Sequence, residues 1–421
     1  MYNQDRIKIS ILFVIMLAIF SLGYSQNTNS AIDGNNNEND LIEKPSAKIE
    51  KKAKKNLDKG LKSKSKGKIE DALKRFNNAL KIYPGYADAH FQRGLILFEQ
   101  GNIDEASSAF KSAVLYDKSN EDAYYYAGKV LYSMDDFNGT IEYLTFFNNE
   151  ESLNSEALYL LGSSYNNIKD YSNAINPLEN AIKIDTETSN YYQALGVAQL
   201  GVDDLTSAIT NLNLAYKLNS NLEILYPLGN AQFKVGDFSS AANSLSEYLS
   251  KNSDNSDAVY LCGLSYFNQG NITKAIELLE KAVELDANKL SKRLIYGKAL
   301  KNNSNFDLAN EQFDFILNID RNHQEAQEEK VEVLLAQDKK EDALDLIKKV
   351  LIQDLNNPEA HHLMASTLAK SNRPEEAIDA EKKALKIDGK FLKGHIYLGD
   401  LYFNLEKYRE AINSYNRAAR L

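Results

Sequence analysis

A chain of 421 residues is longer than one ordinary hydrophobic core requires, so it is either several domains or one elongated array. Apolar residues make up 43% and charged residues 26%, with six prolines and no tryptophan, which argues against a loop-rich β architecture and for a helical class. The net charge of −10 is uneven: residues 48 to 68 hold ten Lys against Glu50 and Asp58, and the chain that follows is strongly acidic. Nucleic acid needs Lys and Arg spread along a contact surface, so no nucleic-acid partner is expected.

The amino terminus reads as an export signal. Arg6 and Lys8 form a basic start, Ile9 to Leu22 form an apolar run, and Gly23 and Ser25 supply small residues before Gln26. Residues 1–25 are therefore expected to be a cleaved signal peptide, which makes the chain periplasmic or secreted. The run is shorter than the ~20 residues a spanning helix needs, so membrane association is expected only if the segment is retained. Residues 26–50 are rich in Asn, show no helical period and read as a flexible tether. Cys262 is the only cysteine, which excludes an intramolecular disulfide; it falls at a core position of a helix.

From about Ala53 the chain becomes amphipathic and repeats itself. Gly60, Gly94, Gly128, Gly162, Gly196, Gly229, Gly263, Gly297 and Gly399 recur at a spacing of 34 residues with one step of 33, Val331 and Ala365 filling the register between the last two. Twelve residues after each stands a second small residue, from Ala72 through Thr140 to Ala411. Four further on stands a bulky apolar one, as in Phe76, Phe110, Leu178 and Phe313, with Glu381 the exception. A spacing of four puts both on one helical face, so each repeat reads as helix A, a turn, helix B and a second turn. Gly101, Gly236 and Gly270 fall in the turn between A and B, and Asn357, Pro358 and Glu359 give an N-cap, a proline at the first helical position and an acid in the first turn.

The pattern resembles the tetratricopeptide repeat. Leu161, Gly162, Tyr165, Ala174, Leu178 and Ala181 fill that family's small and large positions in one repeat, and Gly94, Ala106, Phe110 and Ala113 do so in another. The resemblance covers residues 53–421, in eleven repeats beginning at 53, 87, 121, 155, 189, 222, 256, 290, 324, 358 and 392. It implies an all-α, right-handed superhelical solenoid. Departures are bulky Phe147 and Tyr248 where alanine is usual, and Glu381. The lysine-rich first helix, with Asn56, Lys59 and Ser63 at positions that are apolar later, is expected to be a solvated cap, and Asn413, Asn416, Arg417 and Arg420 make the last helix polar enough to face water.

No phosphate loop, Cys pair, His-Glu-x-x-His or Gly-x-Ser-x-Gly motif is present, so no catalytic residue, metal or cofactor is expected and the chain is read as a non-enzyme. His90, His361 and His395 share the fourth position of helix A, which favours packing over metal ligation. The resemblance implies that the fifth, ninth and twelfth positions of helix A line a concave groove. There the chain carries Phe91, Tyr125, Tyr159, Tyr226 and Tyr260 at the fifth position, and Phe98, Tyr132, Phe233 and Phe267 at the twelfth. These rings either anchor a bound protein segment or brace adjacent helices. A sugar-stacking surface, which would make the chain a glycan or cell-wall binding module, is the alternative. Glu325, Glu328, Glu329 and Glu332 form one acidic stripe, whose mutual repulsion points to a partner with a basic segment. The functional expectation is an exported protein-binding scaffold that supports assembly of an envelope or surface complex.

Overall fold

A computed structural model describes residues 45–148 and 154–421 of the protein. The signal segment and all but the end of the tether lie outside the described residues. Helix begins at Ala47, inside the range assigned to the tether, because Ser46 accepts the first backbone bonds and the run from Lys48 carries no helix breaker.

The described residues contain α-helices and short 3-10 turns with no strand. One compact unit ends at Asp136 and holds α1 (Ala47–Lys64), α2 (Ile69–Ile82), α3 (Ala87–Glu99), α4 (Ile103–Tyr116) and α5 (Glu121–Ser133). The other begins at Phe137 with α6 (Phe137–Leu144). It continues through α7 (Ser155–Asn167), α8 (Tyr171–Ile184), α9 (Ser189–Gly201), α10 (Leu205–Leu218), α11 (Leu225–Lys234), α12 (Phe238–Leu249), α13 (Ser256–Asn268) and α14 (Ile272–Leu285). It closes with α15 (Leu290–Asn302), α16 (Phe306–Ile319), α17 (Gln324–Ala336), α18 (Lys340–Gln353), α19 (Pro358–Lys370), α20 (Pro374–Ile387), α21 (Leu392–Asn404) and α22 (Tyr408–Ala418). Odd-numbered helices are the A helices and even-numbered ones the B helices.

The two small-residue series do the work that the spacing assigns to them. The bulky residue of helix B lies directly on the glycine of helix A: a methyl group placed on Gly162 would meet Leu178 Cγ at 2.4 Å, and one on Gly94 would meet Phe110 Cε1 at 2.7 Å. Phe76, Phe110, Leu178, Leu212, Leu245 and Phe313 have no exposed surface as a result. At these glycines a Cβ would overlap the helix B side chain, so its absence lets the hairpin close this far. The A–B turn also repeats. Gly67, Gly101, Gly236 and Gly270 have positive φ there, and Asp135, Lys169, Asp203, Ser304, Asp338, Asn372 and Glu406 adopt the same left-handed conformation without being glycine. The backbone bonds that close this turn are strong enough to hold L-residues in it.

The bulky residues at the alanine position have separate outcomes. At Phe147 the B helix has already ended at Leu144 and passed into a 3-10 turn, whereas Tyr248 stays helical, buried, and stacked on Tyr226. Cys262 has no exposed surface, and burial raises its thiol pKa. The last helix exposes apolar residues beside the polar ones expected to face water. Asn413, Asn416, Arg417 and Arg420 are exposed, but Tyr408 and Ile412 on the same helix are 54% and 59% exposed, because no further helix A covers them among the described residues.

Within the second unit each B helix packs on the A helix of its own hairpin and on the next one, and consecutive A helices from α7 to α19 touch each other directly. The A helices therefore approach more closely than the B helices, which puts the A row on the inner side of this unit's curve.

Candidate functional site

In the first unit the aromatic positions are partly buried and share one neighbour. Tyr126, at the sixth position of α5, lies 5.8 Å from Phe91, 6.3 Å from Phe98, 5.4 Å from Phe110 and 5.0 Å from Tyr125, ring centre to ring centre. Lys129 Nζ donates to the Tyr125 hydroxyl at 2.8 Å. Tyr132 is also partly exposed on α5.

In the second unit Tyr159 faces Tyr191 at 5.1 Å, Tyr226 stacks on Tyr248 at 5.5 Å, and Phe233 meets Phe238 at 5.3 Å. Tyr260 and Phe267 pack together against the core around Phe313. Burial raises the phenol pKa of Tyr226 and Tyr260, so both hydroxyls stay protonated and available as donors. Each of these groove-position rings is thus packed against a neighbouring side chain and partly exposed. Of the two roles the sequence leaves open, bracing is the one visible in these contacts. The backing residues Tyr126 and Tyr191 stand outside the three groove positions, which is why pattern reading passed over them.

Beneath Tyr260 lies Lys292, only 3% exposed, with Nζ 6.0 Å from the ring centre. It donates to Ser256 Oγ at 2.7 Å and to Asp257 Oδ1 at 2.8 Å, and pairs with Asp286 at 3.4 Å. A buried ammonium is tolerated only with this kind of complete pairing.

The acidic stripe corrects its sequence reading. Three of its four carboxylates are already paired from the preceding A helix: Lys298 Nζ lies 3.0 Å from Glu325 and 3.6 Å from Glu329, and Lys301 Nζ lies 2.5 Å from Glu329 and 2.6 Å from Glu332. Glu328 accepts from Gln324 Nε2 at 2.9 Å. Burial disfavours the charge on Lys301, but the bonds from Glu329 and Glu332 outweigh it and raise its pKa. The stripe therefore fastens α17 to α15 and does not require a basic partner.

The three histidines at the fourth position of helix A have a shared role. Each Nε2 donates to the carbonyl six residues earlier, His90 to Pro84 at 2.7 Å, His361 to Leu355 at 3.1 Å and His395 to Gly389 at 3.0 Å. Tyr192, Arg293 and Gln327 do the same to Thr186, Ala287 and Arg321, at 3.2, 3.1 and 2.6 Å. These side chains fasten the turn between repeats by satisfying a carbonyl left open at its bend. Among the described residues no group of three His, Cys, Asp or Glu side chains is placed to hold a metal ion.

Glu381 occupies the position that is apolar in the other repeats and has no exposed surface; it is the only buried acid among the described residues. Its Oε2 lies 2.9 Å from Nδ1 of His362, at the fifth position of α19, and the ring of His362 meets Phe391 and Tyr397 edge-on. On α21 a methyl group at Gly394 would meet Glu381 Oε1 at 2.7 Å. Glycine at that point makes room for the carboxylate.

Models described as tetratricopeptide repeat match residues 226–289, 329–390, 155–188 and 392–421, and one described as TPR repeat matches 60–101 and 94–135. Between them they cover more than half of the chain. The chain belongs to the tetratricopeptide-repeat family. No curated protein matches it. Tetratricopeptide-type solved structures similar to it include yeast Tom70, at 15% identity over 88% of this chain and 92% of that one, with a TM-score of 0.39. A tetratricopeptide repeat protein from Parabacteroides merdae is 18% identical over 61% of this chain and 98% of its own, with a TM-score of 0.41. Pseudomonas aeruginosa pilF is 18% identical over 50% of this chain and 97% of its own, with a TM-score of 0.40. Membership in the tetratricopeptide-repeat family supports a scaffold for protein–protein interaction.

Proposed function

We propose that this protein is an exported scaffold that holds segments of partner proteins along its A helices and supports assembly of an envelope or surface complex. The observation that carries the binding reading is the row of half-buried rings, each supported from behind by a neighbouring side chain. A ring already fixed in place loses little freedom when a partner covers its open side, which is what makes tyrosine and phenylalanine effective anchors. Export is supported by the basic, apolar and small-residue order of residues 6–25. Among the described residues no helix is long and apolar enough to cross a membrane.

Selecting displayed peptides on the intact chain tests the binding reading. Selected peptides are expected to lose about tenfold in affinity for a Leu264→Arg variant, which puts a charge between the second unit's rings. Peptides that ignore this change but are displaced by cell-wall oligosaccharide would favour the glycan reading instead. Export is tested by the mass of the protein isolated from its own cells, expected to begin at Gln26; a chain that retains Met1 would turn the reading towards an anchored protein.

A further inference from the structure

Between α20 and α22, over α21, lies an open cavity of about 400 Å³, within the range of small-molecule sites. Lys382, Lys386 and Arg417 line it, and none of the three forms an ion pair among the described residues. Glu410 is the one acid in the lining. The floor is apolar Leu385 and Leu398 with His395, which is 5% exposed and fixed by its bond to Gly389. Asn413 and Tyr402 add donors to the lining, with Lys382 Nζ 5.8 Å from the Tyr402 ring centre, while the buried Ser414 hydroxyl donates to the Glu410 carbonyl at 3.1 Å.

The corresponding groove one repeat earlier, between α18 and α20, supplies an internal comparison. It encloses about 280 Å³ and carries Glu376, Asp379 and Lys383. In register, Glu410 replaces Glu376, neutral Asn413 replaces Asp379, and Arg417 replaces Lys383. One groove is acidic on balance. The other gathers three cations around a space of molecular size, in a body whose charge is otherwise strongly negative. Unpaired like charges at this density repel one another, and a multiply charged anion relieves that repulsion. Arg417 offers a planar fork and the lysines two point charges, the combination suited to phosphate oxygens.

We infer that this cavity is a binding site for a phosphate or phosphate-ester group, independent of the aromatic groove. Titration calorimetry of the full chain with sodium tripolyphosphate at low salt tests it, beside sedimentation with phosphatidylglycerol and phosphatidylcholine vesicles. The Lys386→Ala, Arg417→Ala double variant is expected to bind tripolyphosphate at least about tenfold more weakly, while Lys383→Ala in the neighbouring groove changes affinity less than about twofold. All three residues are exposed, so the variants keep the fold, which circular dichroism checks. Retention on phosphatidylglycerol vesicles that the double variant loses would assign the phosphate to a lipid headgroup. Tripolyphosphate binding without vesicle retention would assign it to a soluble ligand. An equal loss in the Lys383→Ala variant, or no binding in either assay, overturns the site.

Discussion

The carboxylate of Glu381 is completely buried and lies 2.9 Å from Nδ1 of His362, which stands at the fifth position of helix A, where several other repeats carry an aromatic ring. The pair replaces an apolar contact by a hydrogen bond, and Gly394 makes room for it. Removing one partner of such a pair is far more disruptive than replacing both.

His362→Leu should therefore destabilise α19 to α22 by about 1–3 kcal/mol, because it leaves the buried Glu381 carboxyl without its hydrogen-bond partner. Glu381→Leu together with His362→Phe should fall within about 1 kcal/mol of the parent or exceed it. Hydrogen exchange in these four helices measures both. Equal protection in the two variants would show that the pair carries no energetic weight.

Lys301→Glu should loosen the junction of α15 and α17 by roughly 1–2 kcal/mol, since it turns two close attractions to Glu329 and Glu332 into repulsions. Exchange protection in α17 reads the effect. Added salt should recover part of it, because Glu332 is 55% exposed and its interaction is screened. A variant whose α17 is as protected as the parent at low salt would contradict the role assigned to the stripe.

Gly162→Ala should destabilise the α7–α8 hairpin by about 1–3 kcal/mol, because the added methyl group overlaps Leu178. In a Leu178→Ala background the same substitution should cost less than it does in the parent, because the atoms it meets are gone. A melting profile unchanged by the single substitution would remove the close approach of helix A and helix B as the reason for glycine in this register.

Burial lowers the pKa of His90 below its ordinary 6.5, with Arg93 adding to the effect and the Pro84 carbonyl opposing it. The unfolded chain therefore takes up a proton before the folded one does. The stabilisation is complete above about pH 6.5 and is lost as pH falls through the folded value. His90→Gln should keep the bond to Pro84, as Gln327 does with Arg321, and flatten this dependence in α3. Exchange in α3 between pH 5 and pH 7.5 distinguishes the two proteins.

Much of the fold is legible in the sequence because two small-residue series and one bulky series mark where helix A meets helix B, and steric contact admits few residue types there. Gly162 and Leu178 are readable for that reason. The turn-fastening bonds are not, because His90, Tyr192, Arg293 and Gln327 have little in common except a donor at the right height. Glu381 stands out as an exception to its series, yet its partner lies on another helix and is invisible to a pattern that follows one helix at a time. The stripe misled for the same reason: Lys298 and Lys301 sit one repeat before the glutamates they neutralise. Setting the ninth and twelfth positions of one A helix beside the second, sixth and ninth of the next would have found them.

Photo-crosslinking in the cells that make the protein tests the groove most directly. A photoreactive residue at Asn230 or Leu264 lies among Tyr226, Phe233, Tyr260 and Phe267 on the A helices, while one at exposed Asn243 or Glu277 lies on the B helices. Discrete protein adducts should form from Asn230 and Leu264 and be absent from Asn243 and Glu277. Adducts confined to the B-helix positions would contradict the account.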